Sequence, residues 1–348
     1  MTELKSTIAF DTRVTPAAVG NGALQQPHRY AGTPKTREAP QQDRPARQPR
    51  RALHGVLLVD KPLGWTSNDV LQKCKGMLRA ERGGHTGTLD PLATGLLPLC
   101  FGAATKFSQV SLDADKCYRA TLRPGQTTTT ADAEGELLQE RPVRLSTAQI
   151  EAACQSLLGR IDQVPPMHSA LKHQGNALYT YARAGVEVER AARQVTIHAI
   201  DLIDWQHDHL IIDVRCSKGT YIRTLAEDLG ERLGCGAHLA ALQRTACGAL
   251  QLQHSITLEA LQALDEAGRD ALLMPVDSLL ANWPEIELQA EDASRFLCGS
   301  RRRLPLPDAA AVRVYAQHPR AFLGSGHIQG GELIADRLLS PLEVRATP

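Results

Sequence analysis

Residues 83–98 read GGHTGTLDPLATGLLP, and the fold of the surrounding chain is best predicted from this stretch outward. It holds one carboxylate, Asp90, among leucines and small residues, with glycines on both sides that permit a ligand to approach the backbone closely. The dipeptide Asp90-Pro91 is typical of a helix N-cap followed by proline at the first helical position. A charge in apolar surroundings costs free energy unless another group pairs with it. We therefore predict that Asp90 caps a helix and also belongs to a functional site.

Composition is that of an ordinary globular protein. The chain has 348 residues, of which 43% are hydrophobic and 22% are charged, and this length predicts two or three domains. No run approaches 18 apolar residues and no export signal is evident, so we expect a cytoplasmic protein without a membrane span. The eight cysteines stand singly, without a C-x-x-C pair, which predicts reduced thiols. The formal net charge of +1 requires any nucleic-acid surface to be a local patch.

Composition shifts divide the chain into three predicted segments. Residues 1–52 are basic, rich in proline and without apolar periodicity, which predicts a disordered extension that is either a solvated tail or a weak RNA-binding arm. Residues 53–284 mix short strands and amphipathic helices without regular βαβ alternation, and we expect order to begin at His54. Residues 285–348 hold one helix and several short strands. We therefore predict an α+β catalytic domain followed by a small β-rich module.

Two charged residues far apart in the sequence are candidates for one site. A carboxylate that must stay ionised in an apolar pocket needs a counter-charge, and Arg223 is a candidate because it begins a predicted helix, beside Tyr221. His85 and Asp90 do not form a metal set, because no further cluster has ligand spacing. Phosphate-binding and dinucleotide-binding glycine motifs are absent from the sequence. These residues alone predict a cytosolic α+β enzyme with a carboxylate-centred site, no metal and no nucleotide cofactor.

Residues 84–95 resemble the signature of the TruB family of bacterial tRNA pseudouridine-55 synthases, and the resemblance extends over roughly residues 53–345. The other matching segments, in the family's order, are Asp60 to Ser67, Ala104 to Lys106, Tyr118, residues 164–172, Cys216 to Arg223, Gly236 to Leu239 and Leu242 to Thr245. The amino-terminal extension lies outside the family pattern.

This resemblance implies a fold and a reaction. The implied fold is a mixed, mainly antiparallel central sheet flanked by helices, followed by a PUA-like RNA-binding module. Family members convert uridine 55 in the T-loop of tRNA to pseudouridine by flipping the base, with an essential aspartate and without a cofactor. The implied partner is the T-arm of tRNA, and the implied enzyme is a monomer that requires no protein partner.

The resemblance also assigns catalytic residues. Asp90 would be the catalytic carboxylate, which either attacks C1′ of the ribose or removes a ribose proton to give a glycal. Arg223 would be the ion-pair partner of Asp90. Tyr118 would stack on the target base near C5.

A second set of residues is implied to bind the substrate. Tyr221 and Leu242 would line the uracil pocket, and His85 would enter the space that the flipped base leaves. The complete predicted substrate-binding set is His85, Tyr118, Tyr221, Leu242, Lys61 and Lys106. An RNA chaperone that folds tRNA is the alternative function, and a guide-RNA-dependent relative is a third.

Overall fold

The computed structural model describes residues 49–169, 171–206 and 208–347. The predicted extension therefore lies outside the described residues, apart from its last part, 49–52. The described residues belong to one compact unit.

Order begins earlier than the sequence predicted. Arg51 forms an isolated β-bridge with Ala80 and ion pairs with Asp270 and, at 3.1 Å, with Glu266. The boundary placed at His54 is thus corrected to at least Arg51, because a residue with three such partners is part of the folded unit.

The elements of the larger sheet and its surroundings follow in chain order. The first group is β1 (Gly55–Lys61), α1 (Ser67–Met77), β2 (Gly83–His85), β3 (Ala93–Phe101), a 3₁₀ helix (Gly102–Phe107), α2 (Ser108–Asp113), β4 (Lys116–Pro124), β5 (Gln126–Thr128), β6 (Leu137–Glu140), α3 (Thr147–Gln155) and β7 (Gly159–Gln163). The second group is β8 (Lys172–His173), β9 (Asn176–Ala177), α4 (Leu178–Arg183), β10 (Arg193–Gln206), β11 (His209–Cys216), α5 (Ile222–Arg232), β12 (Ala237–Cys247), β13 (Leu250–Gln251), a 3₁₀ helix (Leu252–His254) and β14 (Ile256–Thr257).

The remaining elements connect to and form the carboxyl-terminal module. They are α6 (Leu258–Ala263), α7 (Glu266–Asp270), a 3₁₀ helix (Val276–Leu280), β15 (Glu285–Leu288), α8 (Ala290–Leu297), β16 (Arg302–Arg303), β17 (Ala309–Gln317), β18 (Arg320–Gln329), β19 (Glu332–Leu338) and α9 (Pro341–Ala346).

The larger sheet is mixed and mainly antiparallel, as predicted. Its main path runs β14-β1-β3-β12-β4-β11-β10-β7, with β2 added to β3 and β13 added to β12. Within it, β1 with β14 and β3 with β12 are parallel, whereas the other pairs are antiparallel. The predicted α+β class is confirmed.

Strand β1 shows how both faces of this sheet are covered. Leu57 and Val59 pack in the core that also contains residues of α1. Val56 and Leu58 pack in a second core with Tyr315 of the carboxyl-terminal module. Because alternate residues of a strand point to opposite faces, α1 covers one face and the module adjoins the other.

The helix predicted to begin at Asp90 is not formed. The Ala93 amide donates to the Asp90 carbonyl at 3.0 Å in a turn, and strand β3 follows at once. The local capping preference is overridden because β3 is almost wholly buried and pairs with strands on both sides. Gly95, with φ +96°, also has another use than ligand approach. A Cβ there would lie 2.4 Å from the Arg244 carbonyl, so this glycine lets β12 approach β3.

The carboxyl-terminal module has its own five-stranded sheet, ordered β15-β17-β18-β19-β16. The predicted helix at 290–298 and the predicted strands around it are present as α8 and β17 to β19. The ring of Phe322 lies 5.3 Å from that of Phe107, which joins the module to the larger sheet through a shared core. The boundary at 284 directly precedes β15, and the division into domains stays a prediction.

Within the described ranges, no helix has both the length and the apolar character that crossing a membrane requires.

Candidate active site

The loop between β2 and β3 carries Asp90 and is held on both sides of that residue. Ser67, at the start of α1, accepts from the Leu89 amide at 2.8 Å and donates to the Leu89 carbonyl at 3.1 Å. The Pro91 carbonyl accepts from the Gly64 amide at 2.9 Å. The Asp90 side chain itself is 45% exposed. The backbone is thus fixed by the turn after β1 while the carboxylate stays open to a ligand.

Lys61 lies beneath this loop and is fully buried. Its ammonium donates to the carbonyls of Trp65 at 2.6 Å and Pro62 at 2.9 Å, and lies 3.5 Å from that of Pro91. Burial lowers the pKa of Lys61 to about 8, against the opposing effect of Asp90. The structure therefore does not bring this predicted substrate-binding residue to the surface, and its contacts are those of a group that supports the loop.

Arg223 lies next to Asp90, at the beginning of α5. Its Nη2 is 2.9 Å from Asp90 Oδ2, and the same guanidinium is 3.5 Å from Asp132 Oδ2. Nη2 also donates to the His168 carbonyl at 2.6 Å. The side chains of Arg223 and Asp132 are 6% and 4% exposed, respectively. One buried cation thus joins an accessible carboxylate to a buried one.

The start of α5 is fixed by a buried glutamine. The Tyr221 amide donates to Gln163 Oε1 at 3.0 Å, and Gln163 Nε2 donates to the Tyr221 carbonyl at 3.3 Å. This exchange replaces a side-chain N-cap, which Tyr221 cannot supply. Burial raises the pKa of the Tyr221 phenol. Gln163, on β7, therefore sets where both Tyr221 and Arg223 enter the site.

Three side chains share one face of the neighbouring strands β4 and β12. Tyr118 is directly opposite Arg244, and Leu242, two residues earlier on β12, is opposite Ala120. Residues two apart on a strand point the same way, so Leu242, Arg244 and Tyr118 lie side by side. Tyr118 and Leu242 are partly buried against the main core. This face forms an apolar surface with one charge at its edge.

Arg244 carries that charge and is only 1% exposed. Nε donates to the Leu96 carbonyl at 2.7 Å, and Nη2 donates to the Gly87 carbonyl at 3.2 Å. Burial raises the pKa of Tyr118 to about 12, whereas the charge and hydrogen-bond donors of Arg244 act to lower that pKa. Arg244 therefore ties β12 to the Asp90 loop at Gly87 and to β3 at Leu96, and it faces the phenol.

His85 lies on β2, paired with Leu99 of β3. Its Nδ1 is buried without a hydrogen-bond partner among the described residues. Burial and the nearby charge of Arg244 lower the pKa of His85, so the imidazole is neutral at neutral pH. A buried ring nitrogen without a partner is a group that a bound ligand can satisfy.

The structure does not place Lys106 among these contacts. Its ammonium donates to the Leu338 carbonyl at 3.0 Å and to Glu343 Oε2 at 2.6 Å, both in the carboxyl-terminal module. The predicted substrate-binding residue thus joins the module to the larger sheet.

Sequence reasoning missed Asp132 and Arg244. Asp132 stands in a threonine-rich polar loop, and no local signal marks it as a partner of Arg223. Arg244 belongs to a segment that matched the family, and a charge within a strand was a signal that its side chain has a buried use. In residues 49–169, 171–206 and 208–347, no group of three or more His, Cys, Asp or Glu side chains is arranged to hold a metal ion.

Three family models match consecutive parts of the chain. "TruB family pseudouridylate synthase (N terminal domain)" matches residues 75–222. "tRNA pseudouridylate synthase B C-terminal domain" matches residues 223–281, and "Pseudouridine synthase II TruB, C-terminal" matches residues 284–339. Together they cover most of the described chain and include every residue of the site except Lys61 and Ser67.

Curated relatives match over nearly their whole length. The tRNA pseudouridine synthase B of Ralstonia nicotianae is 58% identical over 313 residues, which is 87% of this chain and 99% of the relative. The protein of the same name from Verminephrobacter eiseniae is 57% identical over 302 residues, 85% of this chain and 91% of the relative.

Solved structures of lower identity share the fold. A chain of a Cbf5-Nop10-Gar1 complex superposes with a TM-score of 0.66 at 22% identity, covering 84% of this chain and 87% of that one. A chain of an H/ACA RNP bound to a substrate RNA containing 2′-deoxyuridine gives 0.64 at 21% identity, covering 83% and 86%. These likenesses support the sheet architecture and the carboxyl-terminal module.

Proposed function

Because the chain belongs to the TruB family of pseudouridylate synthases, we propose that it isomerises the uridine at position 55, in the T-loop of tRNA, to pseudouridine. The protein is an isomerase whose reaction breaks the C1′–N1 bond, turns the base and rejoins it through C5. The observation that carries the proposal is the contact of 2.9 Å between Arg223 and the exposed carboxylate of Asp90.

In this proposal Asp90 is the catalytic carboxylate. A positioned carboxylate can act as a nucleophile or as a general base. Asp90 therefore either attacks C1′ or removes a ribose proton to form a glycal, and its contacts are compatible with both routes. Arg223 supplies the counter-charge and holds the carboxylate in one orientation. The buried Asp132 holds Arg223 from the other side.

We place the target base on the face formed by Tyr118 and Leu242, with Tyr221 at its edge. Flipping a base out of its stack costs a few kcal/mol. Stacking on one aromatic ring returns about 1–3 kcal/mol. Tyr118 can therefore offset most of the extrusion, and its partly buried ring supports this assignment.

The other predicted substrate-binding residues take different parts in the proposal. His85, with its unpartnered Nδ1, enters the T-loop at the space left by the flipped base. Lys61 supports the catalytic loop from below through three carbonyls. Lys106 holds the carboxyl-terminal module, which we propose contacts another part of the tRNA.

The proposal also states that the protein acts alone, without a cofactor, in the cytoplasm. It is tested with purified full-length protein and two unmodified tRNA transcripts that differ at position 55, uridine in one and cytidine in the other. We expect pseudouridine at position 55 of the first transcript and none in the second, as determined by chemical mapping.

Because no other protein is added, the same assay separates the enzyme from its alternatives. Binding of the first transcript without pseudouridine formation would support the chaperone. Activity that appears only when a guide RNA is added would support the guide-dependent relative. Modification at another position would contradict the assignment to the T-loop.

A further inference from the structure

Arg244 is a buried cation whose charge the proposed roles above do not use. Its side chain is 1% exposed. Across residues 49–169, 171–206 and 208–347, no carboxylate lies within 4 Å of its guanidinium, and its hydrogen bonds go to the carbonyls of Leu96 and Gly87. Arginine stays protonated in proteins, so a full positive charge remains in the interior. Burying a charge costs free energy, which the two carbonyls offset in part, and an anion that forms nearby would be stabilised by the charge that they leave unpaired.

The hydroxyl of Tyr118 is the acidic group on which the charge of Arg244 acts. The two residues are opposite each other on β4 and β12 and point to the same face. The groups that act on the phenol are Arg244, which lowers its pKa, and Cys216 and Cys247, which raise it. Burial raises the pKa more strongly than any of these groups. Among them, Arg244 is the one that favours the phenolate.

The isomerisation contains a step that needs a base at this position. Once C5 has bonded to C1′, C5 still carries its hydrogen. The C5–H bond must break: its electron pair restores the C5=C6 double bond, the pair of the C6=N1 double bond moves to N1, which takes a proton from solvent, and the C5 proton passes to a base. A phenolate oxygen of Tyr118, stacked near C5, can accept this proton and become the neutral phenol. The phenol then loses the proton to solvent, and atoms and charges balance.

We propose that Arg244 is a positioning residue for this proton transfer: it orients the Tyr118 hydroxyl toward C5 and supplies the positive charge that favours its anion. The inference rests on the proposed function, and it assigns a role to a charged residue of the site that the proposed function leaves without one. The same guanidinium joins β12 to Gly87 in the Asp90 loop and to Leu96 in β3, the strand that follows the loop.

The test compares Arg244→Met and Arg244→Lys with the wild-type enzyme on tRNA that carries either uridine or 5-deuterated uridine. For Arg244→Met we expect kcat to fall at least about tenfold with KM unchanged, because proton transfer, not binding, is impaired. We also expect a primary isotope effect on kcat larger than that of the wild type. Arg244→Lys keeps the positive charge but loses the guanidinium fork. Its kcat should therefore fall less than that of Arg244→Met, and its isotope effect should also be larger than that of the wild type.

A matched control is Arg269→Met. Arg269 also donates to backbone carbonyls, those of Leu261, Met77 and Gln262, at 2.8–3.1 Å, but it lies outside the site. Its loss should leave the isotope effect of the wild type unchanged. Circular dichroism and urea unfolding establish that each variant is folded, and the lysine variant carries the test if the methionine variant is not.

Coupling to Tyr118 completes the test. In a Tyr118→Phe background, which has no phenol to ionise, Arg244→Met should lower kcat much less than it does alone. The inference is overturned if both Arg244 variants keep the isotope effect of the wild type, or if Arg244→Met lowers kcat by the same factor in both backgrounds. A wild-type enzyme that makes no pseudouridine overturns the proposed function instead, so the two failures are distinguishable.

Discussion

Two buried arginines flank the candidate site, and they are stabilised in opposite ways. Arg223, on α5, lies between the carboxylates of Asp90 and Asp132. Arg244, on β12, is bound by the carbonyls of Leu96 and Gly87. The guanidinium of Arg223 is paired with two carboxylates, whereas the charge of Arg244 is not neutralised by any carboxylate of the described residues.

This difference shows how one site can stabilise both a carboxylate that is always ionised and a phenol that ionises only during the reaction. Arg223 meets a carboxylate that is already an anion before the substrate arrives, so its ion pairs are part of the resting fold. Arg244 faces a neutral phenol, whose anion is needed only during the reaction. Electrostatic stabilisation that is preorganised in this way acts where charge develops, without rearrangement at that moment.

Removing Arg223, the arginine bound by carboxylates, should have the largest effect on stability. Arg223→Met leaves Asp132, with 4% of its side chain exposed, without its cation. We expect the free energy of unfolding to fall by about 3–5 kcal/mol, the usual cost of stranding one member of a buried pair. Urea unfolding measures it. The double variant Arg223→Met/Asp132→Asn should recover part of the loss, and a loss from Arg223→Met below about 1 kcal/mol would contradict the assigned burial cost.

Displacing the strand that carries Arg244 should have the next largest effect. Gly95→Ala puts a Cβ 2.4 Å from the Arg244 carbonyl, at φ +96°, so β3 and β12 must separate. We expect a loss of about 3 kcal/mol in the free energy of unfolding. Gly234→Ala is the control, because its φ is +78° and no atom lies within 4 Å of the added carbon. It should cost about 1–2 kcal/mol, for backbone conformation alone. Equal losses would contradict the close approach of the strands.

Removing the carbonyl-bound arginine should cost less than removing the carboxylate-bound one. Arg244→Met leaves two carbonyls with fewer donors but strands no carboxylate among the described residues. We expect a loss of about 2 kcal/mol in the free energy of unfolding, the scale for a buried polar group without its partner. Parallel urea unfolding of Arg223→Met and Arg244→Met measures the difference. An Arg244→Met loss as large as that of Arg223→Met would remove the distinction.

Lys61 is a third buried cation, and the effect of its charge on stability can be followed through the pH dependence of the unfolding free energy. Its pKa in the folded protein, about 8, lies below its ordinary value of 10.5. The unfolded chain therefore binds more protons at this residue between those two values, and the stability it contributes rises with pH there. The difference in unfolding free energy between wild type and Lys61→Met should shift by about 1 kcal/mol in favour of the wild type from pH 7 to pH 9. A constant difference would show that this ammonium titrates normally, and a shift of opposite sign would show that folding raises its pKa; either result would contradict the account.

Much of the fold was predictable because its elements have strong local signals. Two of the amphipathic helices expected in residues 53–284, α1 and α3, begin at capping boxes formed by Thr66 with Asp69 and by Ser146 with Gln149. Strand β3 was not predicted, since Asp90-Pro91 resembles a helix start and a strand buried on both faces shows no alternation. Strand β12 likewise depends on partners distant in sequence, which local patterns do not reveal.

Site residues could be predicted where the adjacent sequence is informative. They could not be predicted where the only evidence is a contact between residues that are distant in sequence. Asp90 and Arg223 were both named from the sequence, and the structure brings them to 2.9 Å. Asp132 reaches Arg223 across 91 positions of chain, and nothing in its threonine-rich loop indicates that contact. Lys61 was named only as one of the implied substrate-binding residues, a role that stays a prediction, and nothing in the sequence indicated its complete burial.

The most direct test of the account is the chemistry of Asp90 itself. Asp90→Asn keeps the size of the side chain, and Asp132 still pairs with Arg223, so the fold should hold. The matched control is Asp113→Asn, whose carboxylate pairs with Lys218 at 2.9 Å, outside the site.

The measurement is single-turnover tritium release from tRNA that carries 5-tritiated uridine, with tRNA binding measured in parallel. The account predicts that Asp90→Asn binds tRNA as the wild type does but releases tritium at least about 10³-fold more slowly, while Asp113→Asn matches the wild type. Release by Asp90→Asn at the wild-type rate would contradict it.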